Sequence, residues 1–465
     1  MLTVGLLVVV RSAKLYARLS QRRRRTHPVT ARGSLVIAVT AILAGVVIGV
    51  VGGAFRWCLQ TAERLRLDLV GWAHQLPGPG WLIPVAAAAA GAALAALIVR
   101  RQPLAAGSGI QHVEAVYHGH ARPPLIGLMF GKFVGGVLAI GSGLVLGREG
   151  PTVHMGAAVG AQAARGARLG DADIRMMQTA VGGAGLAVAF NAPIAGVLFA
   201  VEEVTKAFRL QMVLATTLAS ATAVGCSRLI LGNHPDFAVA SMAAPALAWL
   251  PLFLVFGVLT GLLGAVYNQT VLWFLDQVTA VARIPAIVKA TAIGALVGLA
   301  SVVVPLSVGD GQTLTQLLLG GHTLVLALVA GYLAIRFVAG PLCYSAALPG
   351  GLFAPLLAVG ALWGVLFVGV FGLVWPHDVT SLAIPMAIVG MAAFFSATVR
   401  APVTGMVIVI EMTATTAVTV PMLGATAAAV LAAQLVGSPP IYDSLRERML
   451  PERPAGGVPD DQDGQ

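Results

Sequence analysis

Gly147-Arg148-Glu149-Gly150-Pro151 places a carboxylate inside a run that otherwise reads as membrane-embedded. An ionisable side chain at membrane depth is costly and by default marks an ion or proton pathway. The glycines flanking Glu149 let a short helix begin here. A helix start offers free backbone N–H groups and the positive end of a dipole, which suits an anion. Glu149 is therefore placed to compete with an anion for one position, which is the behaviour of a gate.

The surrounding chain sets the solvent. Of its 465 residues 58% are hydrophobic and 10% charged, against roughly 45–50% and about 25% in soluble domains. The fold class expected is an all-α polytopic membrane protein. Apolar stretches near 35–54, 81–99, 125–146, 181–201, 212–231, 245–268, 286–304, 322–340, 352–374, 382–398 and 418–436 make on the order of ten full spans at roughly 20 residues each. The pieces 152–164 and 402–412 are too short to cross alone. Residues 1–10 are apolar but precede the basic run Arg22–Arg25, the wrong order for a cleavable signal peptide. That run sits before the first clear span and places the N-terminus in the cytoplasm. The net charge of +10 reflects such loops; nucleic-acid binding fits poorly with so apolar a chain.

Cys58, Cys226 and Cys343 are scattered in apolar segments without metal-site or disulfide spacing and read as small core hydrophobes. His112, His118 and His120 with Glu114 fit no ligand spacing and read as a loop.

The chain repeats itself. Gly147-x3-Pro151-x4-Gly156-x3-Gly160 has the spacing of Gly351-x3-Pro355-x4-Gly360-x3-Gly364, an offset of 204 (351 − 147). Ala192-Pro193-x2-Gly196-x5-Glu202 matches Ala401-Pro402-x2-Gly405-x5-Glu411 at an offset of 209 (401 − 192). Two patterns in register argue for a duplicated unit. Transporters are often built from such repeats, with the substrate held near the midplane on helices broken by Gly and Pro. Close helix packing alone accounts for Gly156, Gly160, Gly360 and Gly364, but not for a glutamate beside the first break.

Four places combine a helix start with a polar group. Gly107-Ser108-Gly109-Ile110 lets the backbone approach a ligand and adds a hydroxyl, though a Ser-Gly helix cap explains it as well. The second is 147–151. In Gly350-Gly351-Leu352-Phe353-Ala354-Pro355 the N–H groups of Leu352 and Phe353 are free at a helix start. Tyr442, in Pro439-Pro440-Ile441-Tyr442, reads by position alone as an interfacial anchor. These groups are mainly donors, not the carboxylate-and-carbonyl cage of a cation site, and they select a small anion.

In this order, the motifs GSGI, GREGP, FNAPIAG followed by Glu-Glu, GLFAP and a late Pro-x-Tyr resemble the CLC chloride channel and transporter family, from about residue 33 to 448. The resemblance implies an inverted repeat of many tilted, broken helices and a homodimer with one pore per subunit. It implies a chloride held by Ser108, the amides of Leu352 and Phe353, and Tyr442. Glu149 would be the external gate, with Gly107, Gly109, Arg148, Gly150, Gly351 and Glu202 in support. Glu203 stands where the family's exchangers carry an internal proton-transfer glutamate, so chloride/proton exchange is expected; a passive voltage- or pH-dependent chloride channel is the alternative. Adjacent residues on a helix point about 100° apart, so Glu202 has another role. It reads as a structural acid bonded to nearby backbone or to a basic partner, as its counterpart Glu411 suggests, and as an aid in bringing protons to Glu203. Gln111 departs from the proline common in the family's transporters. Lys132 and Arg148 read as raising the positive potential at the mouth, with Glu114 a buried partner for one of them.

The expected organisation is a basic cytoplasmic segment 1–32 and a transmembrane domain 33–448 (repeats 33–240 and 241–448). A short disordered cytoplasmic tail follows at 449–465, with no C-terminal regulatory domain. The expected location is the inner cell membrane, with lipid, chloride and protons as partners, no nucleic acid, no cofactor, no metal and no enzymatic chemistry. A fluoride branch departs at Ser108 and at the proline of GREGP, both kept here. The Gly-Ser-Gly triplets lack the preceding residue of a protease GxSG motif, and no Walker loop is present. A cation transporter would want paired acids without these donors.

Overall fold

The computed structural model describes residues 31–377 and 379–449. The expectations for the first 30 residues and for the tail beyond 449 lie outside them. The described residues hold seventeen α-helices. The first eight are α1 Ala31–Ala73, α2 Leu82–Arg101, α3 Ile110–Tyr117, α4 Leu128–Gly141, α5 Glu149–Gly166, α6 Asp171–Phe190, α7 Pro193–Phe199 and α8 Leu210–Leu231. The next eight are α9 Leu250–Ala280, α10 Ala286–Val303, α11 Gln312–Leu319, α12 Leu326–Ser345, α13 Phe353–Val374, α14 Ala383–Val399, α15 Pro402–Thr413 and α16 Thr419–Leu435. Helix α17, Ile441–Met449, is the last of those described. Helices α1–α8 correspond one for one with α9–α16.

The two halves are inverted. Along α1, Gly45, Gly49 and Gly53 meet Ala219, Ala223 and Ser227 of α8 in ascending order, so the two helices run parallel. Gly257 and Gly261 of α9 meet Ala425 and Ala429 of α16 in the same way. Because the segment 232–249 joins α8 to α9 without another span, the second pair runs against the first. With no hydrophobic drive between helices in lipid, small residues bring backbones together. The motif glycines serve this too: a methyl at Gly156 or Gly160 would strike Val181 or Met177, and one at Gly360 or Gly364 would strike Gly390 or Met386.

Among the described residues, eight helices are long and apolar enough to cross a membrane, against the order of ten expected. The stretch 125–146 contracts to the 14 residues of α4. The stretch 181–201 is broken at Asn191, which takes a left-handed conformation at φ 52° before Pro193 opens α7. The second half breaks alike at Arg400, φ 72°, before Pro402. Proline suits the first turn of a helix because its missing N–H is not needed there. Arg400 is held in this strained conformation by its guanidinium, which donates to the carbonyls of Ala397, Val430 and Ser438. Around α14, 89% of the apolar window is buried in protein, against 33–44% for the other spans. It is therefore a central helix, and α6, buried from Met177 to Phe190, is its mate.

The two acids of the second repeated pattern tie the halves together. The Glu202 carboxylate accepts from the N–H groups of Val403 (3.0 Å) and Thr404 (2.6 Å) and from Thr404 Oγ1 (2.7 Å). The Glu411 carboxylate accepts from the N–H groups of Ile194 (3.1 Å) and Ala195 (2.8 Å). Each caps the first turn of the other half's broken helix, so the backbone that Glu202 meets is not nearby in sequence. Charged hydrogen bonds of this kind contribute about 1.5–3 kcal/mol each. Glu411→Gln is expected to lower unfolding stability by about 2 kcal/mol, seen as a lower melting temperature in detergent.

Candidate functional site

The breaks of the two halves meet at one point. Gly147 and Gly351, equivalent in the repeat, form an antiparallel bridge, each N–H donating to the other's carbonyl at 2.7 Å. Gly350 N–H donates to Gly107 O at 3.2 Å, bringing in the GSGI loop. Unwound backbone of this sort survives in a membrane only where it is buried in protein or lines a cavity.

Glu149 begins α5 and is fully buried. Its side chain folds over the bridge, and Oε1 accepts from the N–H of Phe353, the first residue of α13, at 2.7 Å. Its Oε2 has no hydrogen-bond partner. A methyl at Gly147 or Gly351 would overlap the carboxylate. A carboxylate thus sits on the N-terminus of the opposite repeat's helix, a place suited to any small anion.

Beside it, a methyl at Gly150 would strike the Ser108 hydroxyl. Ser108 caps nothing: α3 has Gly109 as its N-cap, φ 93°, with no side-chain capping bond. Ser108 Oγ is buried without a partner, and so is Tyr442 Oη. The two hydroxyls fall short of hydrogen-bond geometry with each other. Tyr442 is no interfacial anchor: it is fully buried, its ring 5.3 Å from that of Phe353, which also packs on Phe395 at 4.6 Å and Phe199 at 6.1 Å. Buried hydroxyls are expected to find partners, and two orphaned O–H donors beside a helix N-terminus fit an anion. Leu352, the residue before α13, is buried in the same place. Gln111 lies beside the site, its amide reaching the hydroxyl of Tyr344, and both groups stand next to Gly107.

The remaining residues lie apart. Lys132, fully buried on α4, donates its ammonium to the carbonyls of Ala106 (3.2 Å), Gly107 (2.7 Å) and Ser108 (3.2 Å). It orders the GSGI loop and leaves its charge behind Ser108. Arg148 turns away from Glu149 to Ala189 O, Gln312 Oε1 and Asp236, the last at 3.1 Å. Asp236 also takes Arg56 at 2.6 Å. Glu114 partners neither cation: it pairs with Arg446 of α17 at 3.0 Å. With His112 it sits on helix α3, not in a loop, and His112 Nδ1 shares a hydrogen bond with His154 Nε2 at 3.0 Å. Glu203 lies in a single π turn, Ala200–Val204, 4% exposed, with Glu114, Lys206 and Asp443 as electrostatic neighbours.

Sequence reasoning missed the second copy of the GSGI loop. Gly309-Asp310-Gly311 has φ of 74° and 94° at its glycines, where Gly107 and Gly109 have 59° and 93°. Arg336, 204 positions after Lys132, donates to the carbonyls of Ser307, Val308 and Gly309 as Lys132 does to its own loop.

Residues 90–434 match the family model described as voltage gated chloride channel. The H(+)/Cl(-) exchange transporter ClcA of Vibrio cholerae is 36% identical over 424 residues, covering 88% of this chain and 89% of its own. The ClcA transporter of Citrobacter koseri is 33% identical, covering 90% of each chain. Among solved structures, a slow cyanobacterial Cl−/H+ antiporter superposes with a TM-score of 0.83 at 28% identity, covering 89% of this chain and 98% of its own. A CLC-type fluoride/proton antiporter shares the fold at 20% identity and a TM-score of 0.69. With this fold and these matches, the chain belongs to the voltage gated chloride channel family, the CLC chloride channels and transporters.

Proposed function

We propose that this protein exchanges chloride for protons across the membrane, with Glu149 as the gate. The observation that carries the reading is the Glu149 carboxylate on the Phe353 N–H, in a place whose other polar groups are donors. Ionised, Glu149 holds that place itself. Protonated, it is neutral, its hold weakens, and chloride takes the amide. Proton and chloride then compete for one position, and that competition is the coupling an exchanger needs. Ser108, Tyr442 and the amides of Leu352 and Phe353 hold the ion. Glu203 receives protons from the opposite side, and Glu202, occupied with α15, is structural. The names of the Vibrio and Citrobacter relatives support exchange over passive conduction.

The charge of the loops supports an orientation. Exposed Arg100, Arg101, Arg122, Arg168 and Arg283 lie at the end shared with Glu203 and α17, while the loops 74–81, 232–247, 304–325 and 375–382 contain no Lys or Arg. By the positive-inside rule the Glu203 end is cytoplasmic. The reading includes a multi-pass protein of the inner membrane with cytoplasmic termini, acting as a homodimer with one pore per subunit. It includes no cofactor and no enzymatic chemistry.

The test is chloride efflux from vesicles holding the purified protein, with external pH recorded simultaneously. Chloride movement that drives protons uphill in the opposite direction supports exchange; chloride flux with a still pH trace makes the protein a channel. A further expectation concerns the bridge. Gly147→Ala expels the carboxylate from its seat, so uncoupled chloride flux is expected to rise severalfold in the same assay.

A further inference from the structure

We propose that the outer mouth carries an anion site of its own, built on Arg66 with the amide of Gln312 and the charge of Arg148, and held shut by the carboxylates of Glu63 and Asp310. This rests on the exchange reading for its direction and purpose. Arg66, on α1, has a side chain only 9% exposed. Its Nη1 has no hydrogen-bond partner, and the nearest carboxylate oxygen, Glu63 Oε1, is 4.0 Å from Nη2. A buried guanidinium without a hydrogen bond is costly unless something outside the chain meets it. The side chain is threaded between two glycines: a methyl on Gly143 would lie 3.0 Å from its Cδ and one on Gly309 3.4 Å from Nη2. The two loops are joined by the Gly309 N–H donating to Gly143 O at 2.7 Å.

Arg66 borders a small cleft of about 10 Å³, room for about one water-sized guest, whose polar lining is Gln60, Glu63, Arg148, Asp310 and Gln312. Gln312 accepts from Arg148 through Oε1, which leaves its amide N–H groups as donors. Thr313 Oγ1 donates to Glu63 at 2.8 Å, and the Gln312 backbone N–H donates to Asp310 at 3.0 Å. Asp310 Oδ2 is 3.8 Å from Arg148. Of the neighbouring charges, Asp236 pairs with both Arg56 at 2.6 Å and Arg148 at 3.1 Å, and Arg336 is committed to three carbonyls.

The repeat explains what this place is. Asp310 stands in Gly309-Asp310-Gly311 where Ser108 stands in Gly107-Ser108-Gly109, on the opposite side of the membrane. One loop offers a neutral hydroxyl to the anion; the other offers a carboxylate. While Glu63 and Asp310 are ionised, the cleft's two cations are balanced and a further anion gains little. A proton on either acid leaves a net positive charge and an unpartnered guanidinium N–H, and a chloride-sized anion binds. External anion affinity therefore rises as external pH falls.

The experiment is transport by the full chain in vesicles, with chloride varied on one side at a time. At an external pH acidic enough to protonate the cleft, Arg66→Gln is expected to raise the external chloride concentration for half-maximal flux about tenfold, the scale of one lost charged hydrogen bond. The internal value and the protons moved per chloride stay as they were. No external change, or an equal change on both sides, overturns the site. Should Arg66→Gln not reach the membrane, Glu63→Gln carries the test. Its external half-maximal concentration is expected to fall at neutral pH and to lose much of its dependence on external pH; an unchanged value overturns the proposal. A wild-type protein that moved no protons would sink the exchange reading alone, since both comparisons are read from chloride flux.

Discussion

Glu149→Gln is expected to carry chloride with no coupled proton movement. The substitution keeps the size of the side chain and removes its charge. A charge-assisted hydrogen bond is roughly twice as strong as a neutral one, so the hold on the Phe353 N–H weakens and chloride competes better for it. The amide also takes up no proton in the working pH range, so the transfer step is lost. Proton flux is expected to fall by about 100-fold or more, while chloride flux persists and loses the part of its external-pH dependence that comes from Glu149. Vesicles with a chloride gradient and a pH electrode read both quantities at once. Uphill proton pumping by this variant would remove Glu149 from the mechanism.

The second large effect is at the other end. Glu203→Gln is expected to keep chloride flux at a similar rate and to lose proton flux. Glu203 is buried beside a polar cluster that reaches the surface at the half-exposed Lys206. Arg446 joins Glu114 at 3.0 Å and Asp443 at 2.9 Å, and Asp443 also takes the half-exposed Lys206 at 2.9 Å. On the proposed reading, a proton entering through this cluster would reach Glu203 without passing the Ser108 and Tyr442 hydroxyls, and the two ions would use separate inner routes. Glu202→Gln is the control. Its carboxylate is spent on the first turn of α15, so that change lowers stability and leaves the coupling ratio alone. Retained coupling in Glu203→Gln would move the inner proton site elsewhere.

Much of this was legible in the chain. The offsets of 204 and 209 between Gly–Pro elements announced the duplication, and a glutamate beside one of them announced the site. The donor character of Ser108, Phe353 and Tyr442 pointed to an anion before any of them could be placed. What stayed hidden depended on contacts across the halves. Spacing pairs Glu202 with Glu411, but nothing local says that each carboxylate crosses to the other repeat. Arg148 finds Asp236 and Asp310 in distant loops, so nearby Glu114 was the wrong partner; Glu114 belongs to Arg446 on the last helix. Tyr442 looks like an interfacial residue because its burial comes from Phe353 and other distant aromatics. The second copy of the GSGI loop keeps only its glycines and the cation behind it. Arg336, 204 positions after Lys132, was the signal that could have revealed it. The count of spans was too high because apolar runs in this fold also form short helices that stop inside the protein.

The central claim is that a carboxylate and an anion take turns on the Phe353 amide. The most direct measurement is anomalous diffraction from bromide-soaked crystals of the wild-type protein and of Glu149→Ala. The expected result is a bromide peak within hydrogen-bond distance of the Phe353 N–H in the variant, where Oε1 sits in the wild type, and none there while the glutamate is present. The same bromide positions in both proteins would contradict it.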